Sequence, residues 1–170
     1  MKILANDGIA ESGKIELEKA GFTVITETVS QENLINAINN EGYEVILVRS
    51  ATKIRKDIFD ACPGIKMIGR GGVGMDNIDV EYGRSKGVSV FNTPASSSQS
   101  VAELVMAHLF GAVRFLYDSN REMPVIGVSE FKVLKKKYAK GIELRGKTLG
   151  ILGFGRIGQA LASYALGCGM

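Results

Sequence analysis

Three observations predict an α/β protein built on a parallel sheet. Five short apolar runs recur in the first half of the chain: KILA at 2–5, FTVIT at 22–26, EVILV at 44–48, IKMIG at 65–69 and VSVFN at 88–92. Segments with helical spacing lie between them, Ser12 to Ala20, Gln31 to Asn39 and Val80 to Lys86, with Gly21, Gly42 and Gly87 at or near their ends. A sixth apolar run, TLGIL at 148–152, leads into a glycine-rich turn. Short apolar runs bounded by glycine or polar residues read as buried strands. Glycine just past a helix takes the left-handed conformation that stops it. Strand and helix in alternation imply βαβ units, hence a parallel sheet with helices on both faces. Residues 1–92 therefore fit a five-stranded, flavodoxin-like layout.

The composition is that of an ordinary globular protein: 170 residues, 45% hydrophobic and 23% charged. The net charge of +3 is spread over scattered lysines. A nucleic-acid binder concentrates its charge on one stripe, so none is expected, and the small excess favours an anionic partner. Cys62 and Cys168 show no CxxC spacing and have no histidine nearby, which points to buried, reduced thiols rather than a zinc site or a disulfide. The opening MKILANDGIA places Asn6 and Asp7 where a secretory segment would stay apolar, and no run approaches the length of a membrane span. A cytoplasmic location with no membrane partner is the expectation.

After the loop-like NTPASSS comes a long apolar helix from about Ser100 to Tyr117. It is expected to leave the first domain and to turn Val101, Leu104, Val105, Leu109 and Val113 toward a core. Residues 1–98 thus form one domain and 99–170 begin another. The charged stretch 118–145, with Lys132, Lys135, Lys136, Lys137 and Lys140 close together, reads as a solvated surface segment.

At Lys147 a new unit opens. TLGIL reads as a strand, GFGRIG as a turn and Arg156 to Leu166 as a helix, so that Gly153, Gly155 and Gly158 satisfy GxGxxG in the strand-to-helix context the motif needs. Gly153 permits the tight turn, Gly155 lets a pyrophosphate approach the backbone, and Gly158 lets the helix lie close to the strand. The N–H groups at the helix start then favour an anion. The competing reading is a packing turn with no ligand. The acidic residue that pairs with a ribose hydroxyl, about 20 residues further on, would lie past Met170.

Three blocks together resemble one family. VRSATK at 48–53, GRGGVGMDNID at 69–79 with NTP at 92–94, and GKTLGILGFGRIG at 146–158 are similar to the D-isomer-specific 2-hydroxyacid dehydrogenases, and VRSATK to their phosphoglycerate branch. The resemblance implies a substrate domain followed by the first βα unit of a Rossmann NAD-binding domain, with this chain as the N-terminal half of the enzyme. It implies NAD-dependent oxidation of 3-phospho-D-glycerate to 3-phosphooxypyruvate, the step that opens serine synthesis, in a homodimer. It also assigns roles: Arg49 and, from the opposite loop, Arg70 would hold the anionic substrate. The N–H groups of Gly71 and Gly72 would take its carboxylate. Val73 would lie against the nicotinamide, and Arg156 and Ile157 would join Gly153, Gly155 and Gly158 at the pyrophosphate. A guanidinium fork suits phosphate or carboxylate better than a lysine point charge.

Each residue has a plainer reading. Arg49 could end a strand at the surface, while Asp76, Asn77 and Asp79 would cap the next helix. Glu103 would meet the dipole in the first turn of the long helix. His108, the only histidine, lies mid-helix away from these blocks. The resemblance puts the catalytic histidine and its partners in the second half of the Rossmann domain, so no catalytic residue and no metal ligand is expected here. The isolated chain is expected to fold in its first domain and to be poorly ordered after about residue 140. Two alternatives stay open: a glyoxylate or hydroxypyruvate reductase of the same family, and a non-catalytic flavodoxin-like binding or regulatory module.

Overall fold

A computed structural model describes all 170 residues, which divide into two compact units, Met1–Pro94 and Ala95–Met170. The division falls four residues before the expected boundary, in the loop ahead of the long helix.

The first unit is a five-stranded parallel sheet. Its strands are β1 (Lys2–Ala5), β2 (Thr23–Ile25), β3 (Val45–Val48), β4 (Met67–Arg70) and β5 (Ser89–Asn92), in the order β2-β1-β3-β4-β5. This is the flavodoxin-like order. All five apolar runs form strands: KILA in full, three others shortened at one or both ends, and the fourth shifted to end at Arg70. Alternation along each strand sorts the side chains between the two faces. Leu4, Ile46, Val48, Ile68 and Val90 face the larger core, closed by α2 (Leu34–Glu41) and α3 (Lys56–Ala61) through Leu34, Ile38, Ile58 and Phe59, and by α4 (Val80–Ser85) through the partly buried Val80 and Tyr82. Ile3, Ala5, Val24 and Val45 face the other side, with Leu17 of α1 (Glu11–Lys19) packed against them. The helix α3 was not expected: KDIFDA is six residues long and buries only Ile58 and Phe59, too short a stretch to show a period.

The second unit differs more from expectation. The long helix α5 runs over Ser98–Val113 and buries Ser98, Ala102 and Met106, a stripe of every fourth residue. Leu104 and Val105, expected in a core, are exposed, Leu104 by 58%. Glu103 consequently lies in the second turn, where its carboxylate oxygen sits 3.4 Å from the Tyr164 hydroxyl. At Phe115 the backbone takes a left-handed φ of 54° and ends α5. The stretch beyond it is helical, α6 (Leu116–Tyr138), with a non-helical residue at Glu130 and Pro124 inside. Only Leu134 of its 23 residues is buried, so the expected solvation holds, whereas its helicity was hidden by proline, glycine and a weak apolar period. No single helix is long and apolar enough to cross a membrane.

TLGIL does not form a strand. A strand needs a neighbour for its backbone groups, and the second unit contributes none. The glycine turn is nevertheless followed by α7 (Arg156–Gly167), which is ordered against α5 where the Tyr164 hydroxyl donates to Gln99 Oε1 at 2.6 Å. The chain beyond residue 140 is therefore more structured than expected.

The five residues of TLGIL make no backbone hydrogen bond through their N–H groups. Amide exchange on the 170-residue chain should find Leu149 to Leu152 close to unprotected while Ile46 and Leu47 exchange slowly. Strong protection at Leu149 to Leu152 in the monomer would contradict the fold described here.

Candidate functional site

Beyond the carboxyl ends of β1, β3 and β4, in the first unit, lies a cavity of about 330 Å³. Ile9, Leu17, Leu47 and Phe91 supply an apolar lining, and Arg49 and Arg70 are its two charged residues. In a sheet of this order the switch point lies between β1 and β3, and ligands bind outside the strand ends beside it. Arg49 directly follows β3. Arg70 is the last residue of β4 and pairs in register with Val48, so it stands on the neighbouring strand rather than on an opposite loop.

The loop carrying Arg49 is held by side chains. Asp7, just past β1, accepts the N–H of Arg49 at 2.6 Å and of Thr52 at 3.1 Å on Oδ2, and the Thr52 hydroxyl at 2.5 Å on Oδ1. Buried Asn6 donates through Nδ2 to Thr52 Oγ1 at 2.8 Å and accepts the N–H of Val29 at 2.7 Å. Asn77 donates through Nδ2 to the carbonyls of Arg49 and Thr52 at 2.9 and 2.7 Å. Gln31 completes the enclosure by exchanging two hydrogen bonds with the backbone of Lys53. Burial works to raise the Asp7 carboxyl, but the Thr52 hydroxyl and the N–H groups of Arg49, Thr52 and Ala51 outweigh it and hold Asp7 below the ordinary aspartate range.

Several expected roles change in this setting. Gly71 donates its N–H to the Val48 carbonyl at 2.8 Å, and Gly72 donates to Thr93 Oγ1 at 2.9 Å. Neither amide is free for a carboxylate. The next two N–H groups, of Val73 and Gly74, make no hydrogen bond, and the Val73 carbonyl is fixed by Asn92 Nδ2 at 2.5 Å. Gly72 has another reason to be glycine: at φ 148° it lies beneath the folded-back Arg70, whose guanidinium Nη1 sits 1.7 Å from where a Cβ would stand. Arg70 Nε is buried without a partner, a state that costs free energy until something accepts from it.

Asp79 does not cap α4 with its side chain. Its carboxylate instead accepts the N–H of Lys56, at the start of α3, at 3.1 Å and pairs with Arg55 at 2.9 Å. Asn77 likewise serves the loop after β3, and Asp76 uses its carbonyl to accept from Arg55. The acidic block thus braces the preceding helix.

The glycine turn lies in the second unit. Gly153 has φ 94°, a Cβ on Gly158 would come within 2.4 Å of the Gly153 carbonyl oxygen, and a Cβ on Gly155 would meet nothing within 4 Å. Two of the three glycines are therefore required by the turn itself, and the third leaves open space in front of the N-terminus of α7. Arg156 is exposed there and Ile157 is half-buried. His108 is exposed on α5.

A family profile described as D-isomer specific 2-hydroxyacid dehydrogenase, catalytic domain, matches residues 3–163. The chain belongs to that family. It is 39% identical over 170 residues to a hydroxypyruvate reductase of Thermotoga maritima, covering 99% of this chain and 53% of the relative. It is equally 39% identical to a D-3-phosphoglycerate dehydrogenase of Methanocaldococcus jannaschii, covering 100% of this chain and 31% of that one. Among solved structures, the TT0316 protein of Thermus thermophilus matches with a TM-score of 0.85 at 27% identity, covering 100% of this chain and 54% of that one. An NAD+-bound 3-phosphoglycerate dehydrogenase of Entamoeba histolytica matches with a TM-score of 0.72 at 32% identity, covering 100% and 52%. The chain therefore spans about half the length of these proteins, or less.

Asp7→Asn should lower stability at neutral pH by about 1–3 kcal/mol, because it presents a donor to N–H groups that need an acceptor. A carboxylate whose folded pKa is depressed stabilises above its unfolded value near 3.9 and loses that contribution as pH falls through the folded value. The gap between wild type and variant in urea unfolding should thus be widest near neutrality and narrow below about pH 4.

Proposed function

We propose that this chain forms the substrate-anion side of an NAD-dependent D-2-hydroxyacid dehydrogenase. The reading is that the whole protein oxidises 3-phospho-D-glycerate to 3-phosphooxypyruvate, the first step of serine biosynthesis. The observation that carries it is the meeting of Arg49 and Arg70 at one cavity beyond the strand ends, with Arg70 Nε lacking a partner. The names of the Methanocaldococcus and Entamoeba relatives support the phosphorylated substrate.

In this reading Arg49 and Arg70 bind the substrate's anionic groups, each through a planar fork of donors. The carboxylate is taken by the N–H groups of Val73 and Gly74, two residues on from the expected Gly71 and Gly72, whose amides are already engaged. The turn Gly153 to Gly158 fits a dinucleotide pyrophosphate, since Gly155 keeps the approach clear and α7 directs its first N–H groups there. Arg156 and Ile157 flank the pyrophosphate, and Val73 lies against the nicotinamide. When bound, NAD supplies the acceptor for the hydride leaving the substrate's hydroxyl-bearing carbon. No side chain of this chain is assigned the accompanying proton transfer.

A second reading, reduction of hydroxypyruvate, is favoured by the equal identity to the Thermotoga enzyme. Steady-state kinetics on the complete protein separate the two: faster turnover of hydroxypyruvate with NADH than of phosphoglycerate with NAD would favour the reductase. Arg49→Ala should raise KM for 3-phosphoglycerate roughly tenfold or more and leave KM for NAD within about twofold. Equal effects on both would contradict the role given to Arg49.

A further inference from the structure

We propose that Asp7 and Asn77 are positioning residues that aim Arg49 at the substrate anion; this deepens the functional reading above and rests on it. Arg49 stands one residue beyond β3, where no neighbouring strand takes its backbone groups. Its N–H goes to Asp7 and its carbonyl to Asn77, side chains 42 and 28 residues away in sequence. Thr52 is held in the same way, N–H by Asp7 and carbonyl by Asn77. A carboxylate, which only accepts, thus takes the donors of two peptide units, and an amide nitrogen, which only donates, takes their acceptors. The two ends of the loop are bracketed with opposite polarity.

The bracket also decides what reads the anion. The N–H groups of Arg49 and Thr52 converge on one carboxylate, so this part of the loop is an anion nest filled from within. Recognition passes to the Arg49 side chain, which lines the cavity beyond the strand ends. Everything between Cα and the guanidinium rotates. The placement of the fork therefore depends on how firmly the two side chains fix the backbone.

The experiment compares Asp7→Asn and Asn77→Ala in the complete protein, alone and combined with Arg49→Ala, measuring KM for 3-phosphoglycerate and for NAD. Each single variant is expected to raise KM for phosphoglycerate roughly tenfold with KM for NAD within about twofold, and to add less than about twofold to Arg49→Ala. Equal rises in both KM values, or effects that multiply with that of Arg49→Ala, would show a merely structural role and overturn the proposal. Should Asp7→Asn fail to fold, Asn77→Ala carries the test, since it removes no charge. If Arg49→Ala raises KM and Asn77→Ala does not, the substrate reading stands and the positioning role falls. If Arg49→Ala itself leaves KM unchanged, both fall.

Discussion

The carboxylate of Asp7 is the point on which the cleft depends. Where a parallel strand ends, its backbone leaves the ladder, and each peptide group that follows must find a partner or stay with water. At the end of β3 those partners are side chains: Asp7 from the end of β1, Asn77 from the segment after β4, and Gln31 ahead of α2. The arrangement turns an irregular loop into a fixed platform without adding secondary structure. It also links three βα connections, so a change in any of them reaches Arg49.

The glycines of the neighbouring segment serve that platform in a way their spacing alone does not reveal. Gly72 lets Arg70 fold back over its backbone, and Gly69 leaves the room that Leu47 and Phe91 occupy, where a Cβ would come within 2.8 Å of both. The result is a cavity with an apolar lining, bordered by Arg49 and Arg70. An anion bound there would be read by charge and fork geometry, and Arg70 Nε, a buried donor without a partner, marks where acceptance is still needed.

Much of this was legible in the sequence because the sheet is encoded locally. Each of the five apolar runs in the first unit carries its own period and boundaries, and the stop glycines Gly21, Gly42 and Gly87 all take positive φ. Arg49, Arg70 and the glycine turn were recognisable from the blocks that contain them. Asp7, Asn6 and Thr52 were not, because their bonds join residues more than 40 apart, and in the sequence they sit in stretches that look like ordinary turns. Asp79 misled for the same reason, bracing α3 from 23 residues away instead of capping the helix that follows it. TLGIL failed as a strand because apolar pattern states only a preference, and pairing needs a second chain segment. The helicity of α6 was lost to Pro124 and to a surface that buries one residue.

The function proposed here is recognition of a small acid at the ends of β3 and β4, and the phosphate is what distinguishes the proposed substrate from related hydroxy acids. The most direct measurement is the ratio of kcat/KM for 3-phospho-D-glycerate to that for unphosphorylated D-glycerate in the complete protein, with NAD. A ratio of roughly 100 or more is expected if two guanidinium forks read the extra anion, since charge-assisted hydrogen bonds are each worth about 1.5–3 kcal/mol. A ratio near one would contradict the assignment of Arg49 and Arg70 to a phosphorylated substrate.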